Sequence, residues 1–156
     1  MNYWNDLNTN LKGSIGEHKV ALELVKHVGH DIFEPCFIGS KADLVFWLEN
    51  RYYGVQVKNA RLIKKLGHIY VTTCTYESGR NNTERLKYDK NMIDFIGVYY
   101  FKLDKCYLIP IDEVGKSGKA LRIEPPLVQH NRSTINWAQD YELDRVMTQL
   151  KDAHSN

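Results

Sequence analysis

Two segments of the chain carry apolar residues at the spacing of an α-helix. In the first, from Leu11 to Val28, apolar side chains recur every three or four positions; capping residues at 8–10 precede it and Gly29 follows it. The second runs from Ile135 to Leu150, with tryptophan, tyrosine, leucine and valine on its expected buried side. The pattern therefore predicts a helix near each end of the chain.

Between these helices lie short runs of β-branched and aromatic residues separated by turn residues, which is the pattern of strands. The predicted strands are Ile32 to Phe37, Ala42 to Leu48, Tyr53 to Lys58, His68 to Thr73, and a hairpin of Phe95 to Lys102 with Lys105 to Ile111. Arg80 to Asn91 is polar and compatible with a helix or partly with a loop, and Lys116 to Arg122 looks like a flexible connection. The order helix, strands, helix predicts an α/β fold.

Composition narrows the class of protein. The 156 residues suit one domain, so we expect a single domain over residues 1–156. No apolar run is long enough to cross a membrane, and the first residues carry no export signal, so we expect a soluble, cytoplasmic protein. The three cysteines are far apart, which disfavours a zinc or redox motif. A net charge of +2 is too small to indicate a polyanionic partner by itself.

The most informative segment is a predicted hairpin. If Asn50 and Arg51 are its two turn residues, antiparallel pairing places Asp43 opposite Lys58, with Gln56 on the same face. The other face is then continuously apolar, with Leu44, Phe46, Leu48, Tyr53, Val55 and Val57. The pairing that buries these residues also gathers a carboxylate, an amide and an ammonium group. An ordinary solvated face is the alternative explanation for each of these three polar residues taken alone.

The first helix adds an acidic residue to this group. Glu17 lies in line with Leu24 and Val28, at the N-terminal end of the stripe that should face the sheet. An acid there is also stabilised by the helix dipole, so a structural role explains Glu17 as well as a catalytic one. Gly13 and Gly16 disfavour a helix, which suggests that another group approaches the helix backbone closely.

Taken together, these residues resemble the core of the PD-(D/E)XK nucleases. The resemblance covers Leu11 to Lys58 and rests on Lys12-Gly13 with Glu17, Gly39-Ser40-Lys41-Ala42-Asp43, and Gln56-Val57-Lys58. It implies a restriction-endonuclease-like core with a mixed central sheet flanked by helices. Two branches are similar, the intron-associated homing endonucleases and the archaeal Holliday junction resolvases. Gln56 stands where the superfamily usually has an acid; glutamine is known there in the homing branch, which favours that branch.

The resemblance also implies roles for individual residues. The catalytic set would be Glu17, Asp43, Gln56 and Lys58. Asp43, the carbonyl of Val57 and Glu17 would hold Mg²⁺, for which Mn²⁺ would substitute. Lys58 would orient the attacking water or stabilise the transition state. An amide is a poorer ligand for a hard cation than a carboxylate, so Gln56 leaves metal affinity open.

Double-stranded DNA is the expected substrate, bound by a homodimer or homotetramer. The residues expected to contact it are Lys12, Ser40, Lys41, Arg61, Lys64, Lys65, Arg80, Asn81, Asn82, Arg85 and Lys87. The long segment between Thr73 and Asp94 could reach base edges, which favours a sequence-specific endonuclease of homing type. A junction-selective resolvase and a DNA-binding module without catalysis are the alternatives. Asp43 and Lys58 argue against the inactive module, and Gln56 leaves it open.

Overall fold

The computed structural model describes residues 3–37, 39–64, 67–78, 83–125 and 135–154. The α-helices are α1 (Tyr3–Asp6), α2 (Thr9–Val28) and α3 (Leu143–His154). The strands are β1 (Ile32–Phe33), β2 (Leu44–Leu48), β3 (Arg51–Asn59), β4 (Arg61–Ile63), β5 (His68–Thr72), β6 (Cys74–Ser78), β7 (Thr83–Lys87), β8 (Phe95–Tyr100), β9 (Lys105–Pro110) and β10 (Gly118–Arg122).

A five-stranded mixed sheet forms the centre of the fold. Its strand order is β1-β2-β3-β8-β9. Strands β3 and β8 are parallel, and the other neighbours are antiparallel. Helices α2 and α3 pack on one face, where Val20, Leu24 and Met147 are fully buried. The predicted α/β fold with a mixed central sheet and flanking helices is confirmed.

The opposite face of the central sheet is covered by a second, smaller sheet of order β10-β5-β4. Ile69, Val71 and Leu121 from this sheet meet Ile96 and Val98 of β8 in a second buried cluster. Strand β8 is consequently apolar at every position but its glycine, because both of its faces are covered. A separate ribbon of β6 and β7 belongs to neither sheet.

Helix α2 has the ends that its sequence predicts. The Asn8 side chain accepts a hydrogen bond from the Leu11 N–H at 2.9 Å and caps the helix. Gly29 ends it with a φ of 63° and donates its N–H to the Val25 carbonyl. No helix of the described residues is long and apolar enough to span a membrane.

The β2–β3 hairpin differs from its predicted register by two residues. Its turn is Glu49-Asn50, not Asn50-Arg51, and Leu44 pairs with Val55. Because side chains alternate with a period of two, a shift of two residues leaves every side chain on its predicted face. The six residues of the predicted apolar face are all buried: Leu44, Phe46, Leu48, Tyr53, Val55 and Val57.

Three other predictions need correction. Residues 83–87 form strand β7, within the segment read as helix or loop, and residues 118–122 form β10 instead of a flexible connection. Strand β7 pairs with β6, whose sequence has little strand pattern, and β10 pairs with β5, which is distant in the sequence. The second predicted helix begins later, since a 3₁₀ turn at Ala138–Tyr141 precedes α3.

Candidate active site

Asp43 immediately precedes β2 and adds one backbone hydrogen bond to the β2–β3 hairpin. Its own N–H donates to the Val55 carbonyl at 2.8 Å. Its carboxylate Oδ2 accepts the Val57 N–H at 2.7 Å and a short hydrogen bond from Gln56 Nε2. The second carboxylate oxygen, Oδ1, takes part in neither bond. The carboxylate is therefore fixed from one side by the neighbouring strand.

Lys58 does not lie directly opposite Asp43, as the predicted register had it. Extending the observed register by one residue places Asp43 opposite Gln56 instead. Lys58 lies two residues further along β3 on the same face, with its Nζ 5.6 Å from the ring centroid of Tyr88. Burial raises the pKa of Asp43, and the positive charge of Lys58 opposes this rise. Asp43 and Gln56 therefore meet as direct neighbours across the hairpin, and Lys58 acts on Asp43 through its charge.

Glu17 approaches this group from α2. It is half-buried, one turn before the fully buried Val20 and on the side of the helix that faces the sheet. Burial raises the pKa of Glu17, and the negative charge of Asp43 raises it further, whereas Lys58 lowers it. Asp43 and Lys58 are therefore both near enough to Glu17 to act on it electrostatically.

A cleft of about 330 Å³ opens beside Asp43 and Glu17. Its lining also includes Glu34, whose charge contributes to the raised pKa of Glu17. Sequence reasoning missed Glu34. The pairing of Phe33 with Val45, which local sequence pattern does not specify, directs the chain after β1 along the start of β2. The rest of the lining comes from the β1–β2 connection: Pro35, Cys36, Phe37, Gly39, Ser40 and Ala42.

Burial shifts the charges of the site toward neutrality. It raises the pKa of Asp43, although the hydrogen bond from Val57, the charge of Lys58 and the hydrogen bond from Gln56 all oppose the shift. It lowers the pKa of Lys58, against the pull of Asp43 and Glu17. Charged groups that burial disfavours, gathered beside a cleft, are a mark of functional sites.

The donors of the site suit a hard divalent cation. The N–H and C=O of a strand residue point to the same side, and the Val57 N–H points toward Asp43. The Val57 carbonyl therefore lies on the Asp43 side of β3, past the last residue pair of the β2–β3 ladder. Together with Asp43 and Glu17 it supplies oxygen ligands only, which Mg²⁺ prefers. Histidine, cysteine and acidic side chains alone form no metal-binding group within the described part of the chain.

The residues expected to contact DNA fall into three groups. Lys12 and Lys41 are half-buried, whereas Arg61, Lys64 and Lys87 are exposed. Ser40 lines the cleft, and its Oγ accepts the Ala42 N–H at 3.3 Å. Lys65, Arg80, Asn81 and Asn82 lie outside the described residues. The backbone of Arg85 is described as part of β7, but its side chain is not.

Two of these basic residues rest on aromatic rings. The Lys12 Nζ lies 5.9 Å from the centroid of the Trp4 ring, and the Arg61 guanidinium lies 5.3 Å from that of Tyr70. Such contacts hold a cation in place while its polar end stays accessible. Both side chains are therefore partly ordered before any ligand binds.

Similarity to known proteins agrees with this geometry. The sequence model of a family described as PD-(D/E)XK endonuclease matches residues 7–144. The solved structure of a bacterial homing endonuclease, I-Ssp6803I, is similar over 94% of this chain and 97% of its own, with 26% identity and a TM-score of 0.75. The structure of MepB matches over 88% and 92% of the two chains at 14% identity, with a TM-score of 0.37 that carries no argument. Curated proteins give no significant match. The chain belongs to the PD-(D/E)XK endonuclease family.

Proposed function

We propose that this nuclease is a metal-dependent, sequence-specific endonuclease of homing type that hydrolyses phosphodiester bonds in double-stranded DNA. The observation that carries the proposal is that Asp43 and Glu17 line one cleft, while Gln56 hydrogen-bonds to Asp43 and the charge of Lys58 acts on both acids. The similarity to a bacterial homing endonuclease over nearly the whole chain supports the homing type.

Mg²⁺, or Mn²⁺ in its place, is the proposed cofactor, held by Asp43, the Val57 carbonyl and Glu17. When bound, a divalent cation neutralises charge on the phosphate and makes a bound water more acidic. Gln56 keeps Asp43 in position, because its Nε2 donates a hydrogen bond to Oδ2. This bond leaves the other carboxylate oxygen, Oδ1, to face the cation. Glu17, which lines the cleft together with Asp43, would hold the cation or position the attacking water.

Lys58 is proposed to act on the charge that develops at the phosphate. Its ammonium group donates hydrogen bonds and cannot bind a cation. The ring of Tyr88 lies on one side of it, and the charges of Asp43 and Glu17 oppose the lowering of its pKa by burial. A half-buried ammonium interacts with an oxyanion more strongly than one in open solvent.

The DNA duplex is proposed to lie across the face that carries the cleft. The residues proposed to contact it carry basic, amide or hydroxyl side chains: Lys12, Ser40, Lys41, Arg61, Lys64, Lys65, Arg80, Asn81, Asn82, Arg85 and Lys87. Strand β7 of the ribbon carries Arg85 and Lys87, and a two-stranded ribbon fits the major groove. One such site per chain cuts one strand, so we propose a symmetric homodimer or homotetramer.

The proposal is tested on four DNA substrates in the presence of Mg²⁺. These are a supercoiled plasmid library with random inserts, a linear duplex, a synthetic four-way junction and single-stranded DNA, with the Asp43→Asn variant as the control preparation. We expect cleavage of a small set of plasmid sequences and none by the variant. Preference for the junction irrespective of sequence would assign a resolvase. Equal cleavage by the variant would contradict the site.

A further inference from the structure

The last residue of β3, Asn59, joins the two elements that carry the proposed catalytic side chains. Its amide Nδ2 donates to the carbonyl oxygen of Lys12 in α2 at 2.8 Å. In an α-helix that carbonyl accepts the N–H four residues further on, and Asn59 uses its second lone pair. The bond therefore ties the end of β3 to the backbone of α2 without interrupting the helix.

Gly16 is the helix residue against which Asn59 packs. A Cβ at position 16 would lie 2.6 Å from Asn59 Oδ1 and 3.3 Å from Cγ, so no larger residue fits unless the amide moves. A Cβ at Gly13 would have no described atom within 4 Å. The close approach that the two glycines suggest in the sequence therefore occurs at Gly16 and not at Gly13.

The contact is buried and incompletely satisfied. Asn59 Oδ1 is shielded from solvent and accepts no hydrogen bond from the residues that the structure describes. A buried acceptor without a donor destabilises the folded state, so an apolar side chain would serve packing alone better than asparagine does. The choice of asparagine points to a role other than stability.

The two ends of this contact are direct neighbours of the site. Gly16 precedes Glu17, and Asn59 follows Lys58. We infer that Asn59 is a positioning residue, which fixes the separation of Glu17 from Asp43 and Lys58 through its contact with the backbone of α2. The inference rests on the proposed nuclease function, because it concerns the same site.

Two substitutions break the contact from opposite sides. Asn59→Ala removes the amide, and Gly16→Ala displaces it. Each is expected to lower kcat about 10- to 100-fold, since a misplacement of about 1 Å can have this effect. The KM for DNA should change less than about threefold, because neither substitution removes a proposed DNA contact. If one variant does not fold, the other decides the question.

Val20→Ala is the matched control. Val20 is a fully buried residue of α2 that packs on the central sheet next to Gly97, and its truncation loosens the helix without touching Asn59. Compared at temperatures equally far below their Tm values, Val20→Ala should keep near wild-type kcat. An equal loss of kcat in Val20→Ala, or wild-type kcat in Asn59→Ala, would overturn the inference.

A second measurement needs no cleavage. The rise in Tm on adding Mg²⁺ or Mn²⁺ without DNA reports metal binding to the folded chain. We expect a clear rise in the wild type and in Val20→Ala, a rise less than half as large in Asn59→Ala and Gly16→Ala, and none in Asp43→Asn. If the wild type binds metal but cuts no DNA, the proposed function fails, while an undiminished rise in Asn59→Ala still refutes the positioning role separately.

Discussion

The ionised carboxylate of Asp43 is needed for the proposed cleavage, but its burial lowers the stability of the folded protein. Its pKa in the folded protein is raised, so the folded state binds a proton more tightly than the unfolded chain does. The contribution of this group to stability is then fully present below the unfolded pKa and is lost as pH rises through the folded pKa. At neutral pH the ionised carboxylate therefore destabilises the metal-free protein.

Asp43→Asn is expected to abolish cleavage and to stabilise the fold. The amide has nearly the same shape and an oxygen that can accept the Val57 N–H, but it carries no charge. Without metal, Tm at neutral pH should rise, because the substitution removes a charge that burial disfavours. Differential scanning calorimetry and plasmid cleavage measure the two effects. Exposed Asp112 provides the control, Asp112→Asn, which should alter neither. A fall in Tm for Asp43→Asn would contradict this account.

The pH dependence of cleavage is expected to reveal Lys58. Its pKa is lowered by burial, so the ammonium is lost at a lower pH than that of an exposed lysine. Cleavage should decline on the alkaline side as this proton leaves. On the acid side it should decline as Asp43 and Glu17 gain protons, because protonated carboxyl groups no longer hold the cation.

Two substitutions separate charge from geometry at this position. Lys58→Ala should lower kcat by about 100-fold or more, as removal of one transition-state donor does elsewhere. Lys58→Arg should keep part of the activity and remove the alkaline decline, since a guanidinium stays protonated. Kinetics across the pH range provide the measurement, and an alkaline decline that persists in Lys58→Arg would assign it to another group.

The sequence predicts some residues of the site and not others, for identifiable reasons. Asp43, Gln56 and Lys58 lie on one hairpin, where local pairing is enough to gather them. Glu34 and Asn59 depend on contacts with a strand pair and a helix that local pattern does not specify. Their participation becomes visible only once the helix has been placed on the sheet.

At the scale of elements, the hairpin turn explains why the predicted register was wrong by two residues. Glu49 and Asn50 both have positive φ, 47° and 62°, as a two-residue turn of type I′ requires. Glutamate is unusual there, so the sequence did not mark it as a turn residue. The faces were nevertheless predicted correctly, because burial depends on alternation and not on the pairing of particular residues.

The same turn offers a stabilising substitution. Asparagine adopts positive φ more readily than glutamate, so Glu49→Asn should relieve about 0.5–1 kcal/mol of backbone strain and raise Tm by a few degrees. Cleavage should be unchanged, since the turn lies at the end of the hairpin away from Asp43. Glu49→Gln removes the charge and keeps the strain, so its Tm should match the wild type. Equal gains in both variants would attribute the effect to charge.

Strands β7 and β10 show the limit of local pattern. Both are short and polar, and each becomes a strand through its partner in a sheet other than the central one. Alternation within five residues cannot distinguish such strands from loops or helices, because the hydrogen bonds that define them come from elsewhere in the chain.

At the scale of the whole molecule, one proposed site per chain implies that a double-strand cut requires two chains. We expect light scattering to give a dimer or tetramer. We also expect a plasmid with one target to become linear without accumulating nicked circles. Mixed assemblies of wild-type and Asp43→Asn chains should nick one strand only. A monomer in solution that also binds DNA as a monomer would contradict the expectation.

The ribbon of β6 and β7 starts and ends in buried residues, Thr73 and Cys74 at one root and Tyr88 at the other. Among the residues that the structure describes, β6 and β7 pair only with each other and belong to neither of the other sheets. Insertions and substitutions beyond the roots can therefore accumulate without weakening either core. If the ribbon contacts DNA as proposed, related enzymes can change their target in small steps while the residues of the proposed active site stay constant. Ribbons could then be exchanged between relatives at the same two roots.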